Sequence, residues 1–156
     1  MKILFMSLLE TIKADATAAV KARESEKSEA LKLLLAALQN REIEKQAKAG
    51  LQATLTDEEI LQVVLSEMKK RRESIELFEK AGRQDLLEPE KKGLEIISQY
   101  APKQLSEQEI EKELKALLAS LGKVEPNALM KKCAEVFKGR ADMAVVSKLA
   151  KSLHEK

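Results

Sequence analysis

The sequence predicts an all-α protein. Apolar residues recur at intervals of three and four along most of the 156 residues, and no segment alternates β-branched and polar residues as a half-buried strand does. A capping side chain followed three residues later by a carboxylate predicts the start of a helix, because the two groups satisfy amides of the first turn. Four such pairs occur: Ser7 with Glu10, Thr56 with Glu59, Asp85 with Glu88, and Ser106 with Glu109.

Single apolar stripes support the helices that follow these starts. The stripes of the first three helices are Leu8, Leu9, Ile12, Ala16 and Ala19; Leu31, Leu34, Leu35 and Leu38; and Ile60, Val64, Met68, Ile75 and Phe78. Glycine accepts a left-handed cap at low cost, so helix ends are expected at Gly50, Gly82, Gly122 and Gly139. Helices with one apolar stripe bury it against each other, which predicts long helices packed side by side in the first part of the chain.

Pro102 and Ser106 mark the boundary between two domains. Proline ends the helix before it and serine caps the helix after it, so the connector is short and polar. We therefore expect an N-terminal helical domain at residues 1–102 and a small three-helix C-terminal domain at residues 103–156. The three short helices are expected at 106–121, 126–138 and 142–153, with Pro126 at the first position of the middle one.

The composition is that of an intracellular protein held together by packing. Cys133 is the single cysteine, which excludes an internal disulfide and cannot form a zinc site alone. The apolar run in the starting segment, MKILFMSLLE, is followed so closely by the charged residues Glu10, Lys13 and Asp15 that it is too short for an export signal. No apolar run is long enough to span a membrane. A soluble, cytoplasmic protein without a membrane partner is expected.

Positive charge is concentrated toward the C-terminal end. The whole chain carries 28 basic and 26 acidic residues, a formal net charge of +2. Residues 1–102 contain 17 basic and 18 acidic side chains, residues 103–156 contain 11 and 8, and the residues from Lys123 onward contain 8 and 4. The last third of the chain is therefore where an anion would bind.

Three segments resemble the GatB/YqeY domain family. They are LLLAALQNREIEK at 33–45, the segment 66–114 that runs from SEMKKRRES to EIEKEL, and KGRAD at 138–142. The similarity covers nearly the whole chain from Met6 and matches the free-standing, YqeY-like form. It implies a helical N-terminal domain followed by a small three-helix domain. In that family the small fold also forms the tail of one subunit of the glutamine-dependent tRNA amidotransferase, where it helps to hold the tRNA that carries a misacylated amino acid.

The resemblance implies RNA contact through the C-terminal domain and an association with glutamine-dependent carbon–nitrogen ligation. Two departures from the family pattern lie around the contact site that it implies. Met143 follows KGRAD where the family usually has glycine, and VEPN at 124–127 replaces a glycine-containing segment before the middle helix. A glycine after Asp142 would let a phosphate come closer to the backbone than Met143 does.

No catalytic group is predicted from the residues themselves. Amide transfer needs an activated nucleophile, a base beside it and donors for the oxyanion. Cys133, the only thiol, shares an apolar stripe with Val136 and Phe137 and is expected in the core. His154, the only imidazole, is expected on the surface near the chain end. The carboxylates are interpreted as helix surfaces and caps, with no metal and no cofactor, so any ligase chemistry would belong to a partner.

The favoured hypothesis is an accessory module that binds tRNA or tRNA-like RNA by shape and phosphate charge, alongside a protein partner in aminoacyl-tRNA amidation. A helix-turn-helix for DNA is disfavoured because MAVV at 143–146 would face the groove. Single-stranded RNA is disfavoured because the few aromatic residues, Phe5, Phe78, Tyr100 and Phe137, leave no stacking platform. A helical protein–protein interaction module without RNA binding is the alternative.

The RNA contact is predicted at Lys131, Lys138, Gly139 and Arg140. KGRAD is explained as a turn by Gly139, which accepts the left-handed cap, and by Asp142, which caps the next helix. Arg140 has no role in that turn, so we expect it to project near Lys138. Lys131 lies seven residues before Lys138 on the same helix face, and the three cations could meet one phosphate backbone.

The side chains of the basic cluster KKRR in the third helix are expected to point in different directions, some toward the core and some toward solvent. Arg71 falls between Met68 and Ile75 on the apolar stripe, so its stem should be buried and its guanidinium paired with a carboxylate of a neighbouring helix. Lys69 and Lys70 are expected in solvent. The alternative is that this cluster contacts RNA.

Overall fold

A computed structural model describes residues 6–155, and within that range the secondary structure consists of seven helices. They are α1 (Leu8–Lys21), α2 (Ser25–Ala49), α3 (Asp57–Ala81), α4 (Gln84–Ser98), α5 (Glu107–Leu121), α6 (Pro126–Phe137) and α7 (Met143–His154). The prediction of an all-α fold is confirmed. The chain forms two compact units, one ending at Ala101 and the other beginning at Pro102.

Three of the four predicted helix starts are capping boxes. Ser7, Thr56 and Ser106 each accept a hydrogen bond from the backbone N–H three residues later. The glutamate at that later position accepts one from the backbone N–H of the cap residue. These reciprocal bonds satisfy donors that the first turn of a helix leaves without a partner, which is why α1, α3 and α5 begin where they do.

The fourth predicted start, at Asp85, is wrong. α4 begins at Gln84, after Arg83 at the N-cap, whose side chain makes no capping hydrogen bond. Gly82 adopts a φ of 67° and the Arg83 N–H donates to the carbonyl of Phe78, so only two residues join α3 to α4. This short link places Asp85 inside the first turn, where its carboxylate accepts two hydrogen bonds from the Arg83 guanidinium.

In the unit that ends at Ala101, α2 packs against α1, α3 and α4, and α3 also packs against α1 and α4. Apolar residues from all four helices form the buried core: Ile12, Ala30, Leu31, Leu34, Leu38, Ile60, Val64, Met68, Ile96 and Ile97. The Lys45 ammonium holds the connector between α2 and α3 by donating to the Thr54 carbonyl at 2.8 Å and to the Glu59 carboxylate. The hydrogen bond from Lys45, together with that from the Thr56 N–H, lowers the pKa of Glu59 to about 2.

In the unit that begins at Pro102, α7 packs against both α5 and α6. Its core contains Ile110, Leu114, Leu129, Cys133, Phe137, Val146 and Ala150. The segment before α5 is bonded to the turn between α6 and α7. The Leu105 N–H donates to the Arg140 carbonyl at 2.8 Å, and the Gln104 amide donates to the Gly139 carbonyl at 2.9 Å. The KGRAD turn is therefore stabilised by hydrogen bonds from the segment before α5 as well as by its own residues.

Candidate nucleic-acid interface

Gly139 and Asp142 build the turn between α6 and α7. Gly139 has a φ of 74°, in the left-handed region that favours glycine. Asp142 is the N-cap of α7, and its carboxylate accepts a hydrogen bond from the Ala144 N–H at 2.9 Å. Both residues thus stabilise the turn as the local sequence predicts, and neither role requires a ligand.

Asp142→Ala is expected to lower the free energy of unfolding of this unit by about 1 kcal/mol, because an amide of the first turn of α7 loses its partner. Chemical denaturation followed by circular dichroism measures this loss. Asp142→Asn is the matched control, since asparagine caps a helix about as well as aspartate. Equal stability of the alanine variant and the original protein would show that the cap contributes nothing.

Arg140 does not project from the turn as the sequence predicts. Its Nη2 donates to the Glu113 carboxylate of α5 at 2.8 Å, and its Nη1 donates to the Val136 carbonyl at 3.1 Å. The side chain is 39% exposed, so it still contacts solvent. Sequence reasoning missed Glu113 because it lies 27 residues away along the chain. Arg140 consequently ties the turn to α5.

Lysines supply most of the exposed positive charge of this unit. Lys131 and Lys138, both predicted site residues, are exposed. Lys131 forms no ion pair within residues 6–155, whereas its neighbour Lys132 is paired with Glu135. Three lysines that were not among the predicted site residues are likewise exposed and form no ion pair in the described part of the chain: Lys123, Lys148 and Lys151. The concentration of positive charge was the signal that could have identified them.

The two departures from the family pattern both add apolar contacts to the core of this unit. Met143, at the first position of α7, and Val124, in the connector before α6, pack partly buried against the core. The carbonyl of Val124 also accepts a hydrogen bond from Nε2 of the exposed His154 at 2.8 Å. These positions therefore contribute to packing within the unit.

Three of the four residues in the first turn of α7 pack against the core of their own unit, and the fourth, Ala144, is exposed. Val146 is fully buried, and Met143 and Val145 are partly buried against the same cluster. Side chains in this position are not available to the bases of a DNA groove. This packing argues against the helix-turn-helix interpretation.

The aromatic side chains of the described residues form no stacking platform. Phe137 is buried, and Phe78 is half-buried. The Tyr100 hydroxyl donates to the Asp15 carboxylate at 2.6 Å, and burial together with Asp15 raises the pKa of Tyr100. Phe5 and the rest of the apolar start at residues 1–5 lie outside the described residues.

Cys133 is a core residue, as predicted. It is fully buried, and burial raises the pKa of its thiol, which disfavours the nucleophilic thiolate. Within residues 6–155, no three His, Cys, Asp or Glu side chains are arranged to hold a metal ion. None of the helices in that range combines the length and apolar content that a membrane span requires.

Arg71 is paired as the sequence predicts. Its Nη1 lies 3.3 Å from the Glu90 carboxylate of α4, and its side chain is only 15% exposed. Lys69 and Lys70 are exposed, and Lys70 is paired with Glu67 on its own helix. Because the arginine at the centre of the KKRR cluster is covered and paired, the cluster is a poor candidate for RNA contact.

Comparison with known proteins agrees with the resemblance seen in the sequence. The uncharacterized protein C22F3.15 of Schizosaccharomyces pombe is 34% identical over 87 residues, which cover 56% of this chain. The matched part is 66% of that protein, just under two thirds of its length. The family described as Yqey-like protein matches residues 9–153, a range that includes parts of both compact units. The chain therefore belongs to the YqeY-like protein family.

Proposed function

We propose that the unit beginning at Pro102 binds structured, tRNA-like RNA, and that the protein is an accessory in aminoacyl-tRNA amidation whose ligase chemistry a partner supplies. Membership of the YqeY-like family, which is related to the tail domain of the amidotransferase, associates the chain with amidotransferases in general terms. One observation carries the RNA part of the proposal. Between residues 123 and 155, four exposed lysines have no ion-pair partner within the described chain: Lys123, Lys131, Lys148 and Lys151.

Exposed, unpaired lysines suit a phosphate backbone because RNA binding then breaks no protein ion pair. Each phosphate that a lysine neutralises releases condensed counterions, and this release drives binding without reading any base. The described residues offer no aromatic platform, which is consistent with recognition of a folded RNA by shape and charge. Lys131, Lys138, Arg140 and the backbone at Gly139 are the contacts proposed at the turn.

Glu113 competes with phosphate for Arg140 in this proposal. The carboxylate holds Nη2 at 2.8 Å, and a phosphate oxygen would form the same kind of charge-assisted hydrogen bond. Glu113→Gln removes the competing charge and should strengthen RNA binding. Glu125→Gln is the matched control, because Glu125 is an exposed carboxylate of the same unit that forms no ion pair within the described range. Equal affinities of the two variants would contradict this competition.

Lysine and arginine variants test the proposed contacts directly. Lys131→Gln and Arg140→Ala are each expected to weaken the binding of tRNA and to reduce the slope of log affinity against log salt by about 1. Lys69→Gln, an exposed lysine of the other unit, should leave both quantities unchanged. Circular dichroism checks that helicity is retained, which matters for Arg140 because of its bond to Glu113. Equal affinities for Lys131→Gln, Arg140→Ala and Lys69→Gln would contradict the proposed contact surface.

A protein–protein interaction module is the second candidate, and a separate observation favours it. Among the described residues, every large apolar side chain that is strongly exposed lies in the unit ending at Ala101. The most exposed are Val20, Leu33, Ile43, Leu51 and Leu77. Apolar side chains at this level of exposure suit a protein interface whose affinity changes little with salt. The salt dependence of binding therefore distinguishes the two candidates.

A further inference from the structure

A cleft of about 340 Å³ lies between α1, α2 and the connector that leads to α3. Four leucines form its apolar part: Leu9, Leu35, Leu38 and Leu55. Lys13, Gln39 and Glu42 complete its lining. All seven residues belong to the unit that ends at Ala101, and none of them is a proposed RNA contact. Its volume falls at the lower end of the range of about 300–1,000 Å³ that small-molecule sites occupy.

Lys13 and Glu42 bring opposite charges to this one cleft. They form no ion pair with each other, and neither is paired with another side chain in the described range. Arg71 differs in this respect, because it lines a second cleft of the same unit but is held there by Glu90. The ammonium of Lys13 and the carboxylate of Glu42 are thus both available to groups of a ligand.

We infer that this cleft binds a small zwitterion with an apolar side chain, the chemistry of a free branched aliphatic amino acid. The ligand carboxylate pairs with Lys13, the ligand ammonium pairs with Glu42, and the aliphatic group packs on the leucines. A fatty acid lacks the ammonium and would bring a second anion toward Glu42. An aliphatic amine would bring a second cation toward Lys13. Charge complementarity therefore selects a ligand that carries both signs.

L-Leucine is the probe for this inference, titrated into the full chain and followed by amide shifts in NMR spectra. We expect saturable binding with a Kd on the order of 1 mM, with shifts at the cleft residues. Leucinamide lacks the carboxylate and N-acetyl-leucine lacks the ammonium. Each should bind at least about tenfold more weakly, because each leaves one charged protein group without its partner. Glycine, which lacks the aliphatic group, should not bind measurably.

Variants locate the site. Lys13→Gln and Glu42→Gln should each weaken leucine binding about tenfold, the loss expected for one charge-assisted hydrogen bond. Lys21→Gln on α1 and Glu88→Gln on α4 change the same residue types outside the cleft and should leave the Kd unchanged. Absence of saturable leucine binding up to about 10 mM would overturn the inference. Equal binding of leucine and leucinamide, or an unchanged Kd in both cleft variants, would overturn it as well.

Discussion

Phe137→Ala is expected to unfold the unit that begins at Pro102 while α1 to α4 remain folded. Phe137 is completely buried, and it is among the largest fully buried side chains of the described residues. Replacing a buried phenylalanine with alanine costs about 3–5 kcal/mol through lost burial and the cavity that remains. A unit of this size has a small core and a total stability of the same order. The variant therefore has little or no stability left.

Circular dichroism and thermal denaturation measure this effect. We expect the loss of about one third of the helical signal, the share of α5, α6 and α7, and a melting transition for the remaining helices close to that of the original protein. Phe137→Leu is the control, because leucine retains most of the buried apolar volume and should leave the unit folded with a lower melting temperature. An alanine variant with unchanged helicity and melting would contradict the assignment of Phe137 to the core.

Arg71→Ala is expected to lower the free energy of unfolding by about 1–3 kcal/mol. The guanidinium lies directly over Gly93 of α4, where a Cβ atom would come within 2.5 Å of the Arg71 Cζ. Its loss removes the 3.3 Å contact with Glu90, whose side chain is only 29% exposed, and leaves that carboxylate without its partner. Thermal denaturation measures the change, and Lys69→Ala is the control at an exposed neighbour. An unchanged melting temperature would contradict the account of this pair.

Gly93→Ala extends this prediction into a double-mutant cycle. In the original protein the added methyl group displaces the Arg71 guanidinium and should destabilise the fold. The Arg71→Ala background lacks the three atoms that lie nearest to the added methyl group, and alanine has a better helix propensity than glycine by about 1 kcal/mol. The same substitution should therefore be neutral or stabilising there. Additive effects of the two substitutions would show that Arg71 and Gly93 do not depend on each other.

Local sequence patterns predicted most of the helices because the interactions that start and end these helices join residues close together in the sequence. Ser7, Thr56 and Ser106 bond to amides three residues away, and the apolar stripe that contains Arg71 fixed which way its side chain would point. The bounds of α5, α6 and α7 lie within one residue of the predicted ones for the same reason. Glycine, proline and capping residues carry this information in their own backbone preferences.

Two helix boundaries were not predicted from the sequence, the junction of α1 with α2 and the start of α4. α1 and α2 are joined through Arg23, which has a φ of 58° although arginine has no preference for the left-handed region. The Glu24 N–H donates to the Ala19 carbonyl, so the backbone closes the end of α1 without a glycine. At the start of α4, Asp85 matched a cap pattern, but the two-residue link after α3 moved the helix start ahead of it.

In the candidate site, the sequence likewise predicted the roles that depend on neighbouring residues and did not predict those that depend on residues distant along the chain. Gly139 and Asp142 act within the turn, so the sequence predicted their roles. The partner of Arg140 is on α5, and no pattern within the turn indicates that Glu113 approaches it. The contribution of Met143 to the core also depends on the packing of α7, which the turn sequence alone does not specify.

Retention of total tRNA on filters by the purified protein, at about 50 and 200 mM salt, tests the central claim most directly. If the four unpaired lysines, Lys138 and Arg140 contact phosphates, tRNA should be retained at the lower salt concentration, and the affinity should fall about a thousandfold at the higher one. Retention that does not change with salt would contradict binding through phosphate charge. No retention at the lower salt concentration would contradict RNA binding itself and leave the protein–protein interaction module as the function to test.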